Sequence, residues 1–144
     1  LEELKERVLD CFRGAAQATG AEMRYKWDEV CYLPMRNNLK MAELFTDNMK
    51  ILGRSTSISK PEQAFGSTDM GNVSQIVLGI HGIVAIADKD VLVHSPEFAD
   101  AAISKRGIEG MIDASKAMAM TVADILSDTE LQAEIKEEFY NSSQ

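Results

Sequence analysis

The chain is poor in the residues that usually announce a function. It has two histidines, two cysteines, three prolines and one tryptophan in 144 residues. With only Cys11 and Cys31, no disulfide framework or cysteine-rich metal knot can form, and two sparse thiols read as buried side chains more readily than as a bridge. No apolar run approaches the roughly 20 residues that cross a bilayer, which leaves no membrane partner. Basic residues are outnumbered, 15 against 23, for a net charge of −8. That balance argues against a nucleic-acid partner, because phosphate binding needs a basic face. There is no Gly-x-Ser-x-Gly elbow and no phosphate-cradling glycine loop, so no nucleophile stands out. The start, Leu1-Glu2-Glu3-Leu4-Lys5, is amphipathic and acidic, unlike a signal peptide. It has no initiator Met, and the chain reads as a piece of something longer or a processed product.

What is present is mostly helical periodicity. Leu1, Leu4, Val8, Cys11, Phe12, Ala15 and Ala16 recur at helical spacing up to Gly20, a helix-ending glycine. The stretch Ala21–Asp28 alternates, with Met23, Tyr25 and Trp27 on one side, and predicts a half-buried strand. A helix from Leu39 to Leu52 is expected after an asparagine cap at Asn37 or Asn38. Its inward residues would be Leu39, Ala42, Leu44, Phe45, Met49 and Leu52, and Gly53 closes it. The polar stretch Arg54–Glu62 is the best candidate for a domain crossing. The short β-branched run Ile83–Ala87 predicts a buried strand. Ser95 and Pro96 open another helix. A long one follows from about Arg106 to Leu126, with Ile108, Met111, Ile112, Ser115, Met118, Ala119, Val122, Ile125 and Leu126 on one side. Met111, Met118 and Met120 read as core filling. A last acidic helix is expected over Thr129–Phe139, and the end, Asn141 to Gln144, as frayed. Helices with short strands predict an α+β fold.

Candidate chemistry gathers in the loop Gly66-Ser67-Thr68-Asp69-Met70-Gly71-Asn72-Val73-Ser74 and at the two histidines. His94 follows Val91-Leu92-Val93 and precedes a Pro-started helix, a junction from which a neutral imidazole can reach a cleft and bind metal. It can equally be a capping or hydrogen-bonded histidine. Asp69 can ligate metal or orient a ligand, or simply brace its own loop in an Asx turn. His81, between Ile80 and Gly82, can be a partly buried structural residue. Ser67, Thr68 and Ser74 can donate to a bound carboxylate or bond locally.

These elements resemble a known family. Gly66 to Val77, then Ile80-His81, then His94-Ser95-Pro96-Glu97-Phe98 are similar to the C-terminal part of the co-catalytic zinc amidohydrolases. That family includes aminoacylases, the folate-cleaving carboxypeptidase and aminobenzoyl-glutamate hydrolases. The stretch Tyr32-Leu33-Pro34-Met35-Arg36-Asn37-Asn38-Leu39 also resembles it. The nearest branch is the aminobenzoyl-glutamate hydrolase and aminoacylase-like dipeptidase group. The resemblance implies residues 1–54 as the end of a lid and dimerisation domain, and 55–144 as the C-terminal part of a catalytic domain. It implies His94 as the last metal ligand, Ser67, Thr68 and Asp69 as a loop bordering the site, Asn37 or Asn38 as a substrate contact, and His81 as a residue of the nearest branch with no assigned role. In the parent, two divalent metals (zinc, with manganese the other candidate) would activate water to cleave an amide whose substrate carries a free carboxylate. A cytoplasmic homodimer is the implied setting.

This chain departs from the family pattern at Leu78 and Gly82, where relatives carry proline. The other metal ligands and the general-base glutamate would precede position 1. The implied behaviour of the isolated chain is weak metal binding, no turnover and self-association. A non-catalytic dimerisation or interaction module derived from the family is the alternative.

Overall fold

The computed structural model describes residues 2–28, 30–59 and 66–141. Leu1, the Lys60–Glu62 end of the expected crossing and the terminal Ser142–Gln144 lie outside them. The chain divides into two compact units, Leu1–Cys31 and Tyr32–Gln144.

The first unit is helix α1 (Glu2–Thr19) and the segment after it. Gly20 takes φ +71°, and the Ala21 N–H reaches back to the Ala16 carbonyl at 3.1 Å. This is the left-handed close that glycine permits at a helix end. The chain then runs back along α1, where Met23 to Trp27 face Val8, Leu9 and Phe12 around a cavity of about 220 Å³. Lys5 lies over the Trp27 ring at 5.7 Å and donates to Glu2 at 2.7 Å. That hydrogen bond raises its pKa above the usual 10.5.

Residues 21–28 form no strand, nor do Ile83–Ala87, and the described residues contain helices but no sheet. The α+β expectation is therefore wrong: the described fold is all-helical. The physical reason lies in where the backbone groups go. A strand exists only as part of a ladder, and alternation of side chains does not supply the partner. Two of the carbonyls at 83–87 accept from arginines instead. Arg54 Nη1 donates to Ala85 O at 3.4 Å, and Arg106 Nη2 donates to Ala87 O at 2.9 Å.

The second unit is built on α2 (Leu39–Ile51), α5 (Lys105–Ser127) and α6 (Thr129–Asn141), which pack on one another, with α4 (Pro96–Ile103) against α5. Asn38 caps α2, its Oδ1 accepting from Met41 N at 3.0 Å. Gly53 closes it at φ +81°. Ser95 caps α4, with Pro96 at its first turn. Ser104 ends α4 and caps α5, accepting from Gly107 N at 3.1 Å. The join is tight: a Cβ at Gly107 would enter the carbonyls of Ala101 and Ala102.

What α5 turns inward is small. Gly107, Gly110, Ala117 and Thr121 are its buried residues. Asn48 of α2 lies buried against them, donating to Thr121 Oγ1 at 3.2 Å and to Asp124 Oδ2 at 2.9 Å. Met111 and Met118, read as core filling, are 62% and 55% exposed. Neither cysteine is in a disulfide, and Cys11 is exposed rather than buried. Among the described residues, no helix is long and apolar enough to cross a membrane.

Candidate functional site

The Gly66–Ser74 loop is not all loop. It turns at Gly66, φ +83°, and its second half winds into a single helical turn, α3 (Met70–Ser74). Thr68 Oγ1 accepts from Met70 N at 3.3 Å and donates to Asp69 Oδ1 at 3.5 Å. Asp69 stands at the capping position of α3, but its side chain makes no capping bond. Its carboxylate is exposed, as is Ser67. An Asx brace, one reading of Asp69, is not how this turn is held. The backbone holds it, with Gly71 N on Thr68 O at 3.1 Å and Asn72 N on Asp69 O at 2.9 Å.

The segment before α2 lies against α3 through side chains. Asn72 Oδ1 accepts from Leu33 N at 3.1 Å, Ser74 Oγ from Arg36 N at 2.9 Å, and Gln75 Nε2 donates to Pro34 O at 2.7 Å. Ser74 is fully buried and also donates to Gly71 O at 2.7 Å. The backbones meet at Gly71, where a Cβ would collide with the Leu33 carbonyl oxygen. Reading along the chain assigned no such clamp to Asn72, Ser74 or Gln75. The available signal is the polar pair Asn72 and Ser74 flanking Val73, a spacing with no use on a free loop.

The two adjacent asparagines have different environments. Asn38 is 3% exposed and its polar groups are spoken for. Besides capping α2, it donates Nδ2 to Ile135 O at 2.9 Å and its N–H to Gly79 O at 3.0 Å. Glu138 of α6 completes the arrangement by accepting from Leu39 N and Lys40 N, at 2.6 and 3.0 Å. A carboxylate there meets the positive end of α2. Lys40 pairs with Glu134 at 2.9 Å, and the bond to Glu134 raises its pKa. Asn37, by contrast, is exposed, and its Oδ1 accepts from His81 N at 3.2 Å. The structure thus brings Asn37 and His81 together although they are 44 residues apart.

His94 stands apart. Among the described residues, no hydrogen bond or ion pair joins it to Asn37, Asp69 or His81. It is exposed and, among the described residues, is the non-glycine residue with positive φ, at +65°. Side chains rarely adopt that region, and holding one there costs of order 1–3 kcal/mol. The turn is held by Ser95, whose hydroxyl donates to Leu92 O at 2.7 Å and accepts from Phe98 N at 3.1 Å. An exposed imidazole can supply one metal-binding nitrogen, whereas a protein zinc centre takes about three or four such groups. Among the described residues, no three His, Cys, Asp or Glu side chains come together to hold a metal. These residues fit one ligand position and do not by themselves build a metal centre.

No family model matches the chain. The sequence is similar to two curated proteins named Xaa-Arg dipeptidase, from Homo sapiens and Mus musculus. Each is 33% identical over 144 residues, which covers 96% of this chain and 32% of the relative. The chain therefore spans about a third of the length of the curated relatives it matches. The likeness supports a peptidase or amidohydrolase relationship.

Proposed function

We propose that these residues supply the His94 side of a metal-dependent peptidase or amidohydrolase, one that cleaves the amide bond of a dipeptide, an N-acyl amino acid or aminobenzoyl-glutamate. The observation that carries this reading is the backbone at His94. A strained, exposed histidine is retained where its position matters more than its cost, and the Ser95 bonds keep it there. In such enzymes a bound divalent metal, zinc or manganese, lowers the pKa of a water and stabilises the tetrahedral oxyanion. His94 would donate one nitrogen, and the remaining ligands and the general base would come from outside these 144 residues. Residues 1–54 would belong to a lid and 55–144 to the catalytic part.

What the fold leaves accessible supports the rest of this reading. Asn38 is committed to capping α2 and tying down α6. Asn37 is therefore the asparagine available to a substrate carboxylate, with His81 bonded beside it. Asp69 and Thr68 border the site, with Asp69 free of capping duty. A reducing compartment such as the cytoplasm would suit two cysteines that form no disulfide.

The test uses a gene product of the relatives' length. His94→Ala should lower hydrolysis of a dipeptide and N-acyl amino acid panel by more than the about 100-fold that changes around a metal's ligands cost. Metal content by elemental analysis should fall with it. Full activity with full metal content would refute the assignment. The 144-residue chain alone should hold no metal tightly, and one tightly bound zinc per chain would show that its ligands lie within it.

A second reading, an interaction module derived from the same family, is favoured by one observation: the bulky face of α5 is open to solvent.

A further inference from the structure

Two arginines hold the run that leads to His94, and they hold it differently. Arg54 pairs with Asp113 of α5 at 2.9 Å, with both side chains 23% exposed. It reaches the Ala85 carbonyl only at 3.4 Å, so its stronger bond is to the helix. Arg106, near the start of α5, is 50% exposed and its partner Asp88 81%. It uses two terminal nitrogens on adjacent residues: Nη1 donates to Asp88 Oδ1 at 2.7 Å and Nη2 to Ala87 O at 2.9 Å. An exposed pair of this kind adds little to stability. Two short bonds from one planar fork instead fix an orientation.

The chain between the bonded ends shows what that orientation serves. Asp88 and Ala87 lie 18 and 19 residues before Arg106, and the intervening loop carries His94. Val91 N donates to Asp88 O at 3.1 Å and turns the chain. His94 follows at φ +65°. Beyond it, Ser95 caps α4, and α4 joins α5 through Ser104 at the tight Gly107. The far side of His94 is therefore fixed to α5 through α4. The near side depends on Arg106, for among the described residues no other side chain hydrogen-bonds to residues 87–91. The bond from Ser95 to Leu92 O begins only after that turn. A strained backbone persists where its surroundings over-determine it. With the near side released, the turn can rotate and the His94 φ can relax to negative values.

We infer that Arg106 is a positioning residue for His94: by closing the Asp88–Arg106 loop it keeps His94 in the conformation that presents the imidazole, without itself touching metal or substrate. This rests on the His94 reading above.

The test uses a gene product of the relatives' length, stripped of metal and reloaded with zinc. Arg106→Ala should raise the zinc dissociation constant about tenfold, the lower end of what losing a ligand's supports costs. At limiting zinc kcat should fall with KM unchanged, because no substrate contact is lost. Arg106→Lys should recover part of the affinity, since an ammonium lacks the planar fork that meets both acceptors. In the metal-free protein, Arg106→Ala should speed hydrogen exchange of the amides at 88–95 and leave the unfolding midpoint unchanged. Arg54→Ala should do the reverse, lowering the midpoint by stranding Asp113 while zinc affinity is kept. Zinc affinity that falls with His94→Ala but not with Arg106→Ala would overturn the inference and leave the His94 reading standing. Indifference to both would overturn both. A fall with Arg106→Ala alone would overturn the inference too, because Arg106 would then act other than through His94. So would a fall accompanied by a lower metal-free midpoint and unchanged exchange at 88–95, which would make Arg106 a structural brace.

Discussion

The α2–α5–α6 bundle and the stretch from Gly66 to Ser95 both order their backbone, by different means. In the bundle, the helices satisfy their own N–H and C=O groups, and tertiary contact is made by Met49 and Ile135, by the small residues of α5, and by a few buried polar side chains such as Asn48 and Thr121. In the stretch from Gly66 to Ser95, one five-residue turn of helix is the only regular structure. Its order depends on distant side chains: Asn37 on His81, Arg54 on Ala85, Arg106 on Ala87. The candidate chemistry sits almost entirely in the second region, on a backbone positioned by residues far away in sequence. Loops that carry function on a rigid scaffold have this character.

The comparison breaks most severely at Gly71. Gly71→Ala puts a methyl into the Leu33 carbonyl, a rigid backbone obstacle. It should cost about 3 kcal/mol, the upper range for forced overpacking, read as a shift in denaturant midpoint. Gly110→Ala is the control, since its new methyl would meet only side-chain atoms, Ile86 Cγ2 at 2.8 Å and Arg54 Nη2 and Val84 Cγ1 at 3.7 Å. It should cost less, because a side chain can turn aside and alanine favours the helix. Equal costs would show that the Leu33–Gly71 approach does not hold the site region.

A smaller effect is expected at Asn38, whose side chain ties α2 to α6 within the bundle. Asn38→Ala removes the α2 cap and the bond to Ile135 O. Loss of a cap plus a buried hydrogen bond amounts to about 2 kcal/mol, measurable by thermal or urea unfolding. A change under a few tenths would mean that Glu138 alone suffices to hold the start of α2.

The smallest effect has the opposite sign. His94→Gly should stabilise the chain by about 1 kcal/mol, since glycine takes φ +65° without strain. In a gene product of the relatives' length the same change should abolish hydrolysis. A gain in stability with no loss of activity would mark His94 as a strained residue without a task.

The helices were legible for particular reasons. Ser95 followed by Pro96 marks the start of α4, and Gly53 marks the end of α2. The long α5 shows in its spacing, and was expected over 106–126 against the observed 105–127. The break at Ser104 was not legible, because a serine between two good helical stretches signals a cap only once the chain is seen to bend there. Nor were the faces of α5: two overlapping apolar stripes share one period, and the pattern alone does not say which one is packed. Of the candidate site, the Ser-Thr-Asp loop and His94 stood out by residue type. Their different surroundings, and the division of labour between Asn37 and Asn38, did not.

Local chemistry, acting over a few residues, was enough to determine the longer helical segments, the ends at Gly20, Gly53 and Ser95, and the candidacy of the two imidazoles and the loop carboxylate. Tertiary structure alone decided that the alternating and β-branched stretches are not strands, that Asn37 lies against His81, and that α5 packs by its small side chains and leaves the large ones outside. The reason is physical: a helix satisfies its hydrogen bonds from within, so neighbouring residues suffice to specify it. A strand, a clamp or a buried face depends on a partner whose position no local pattern contains.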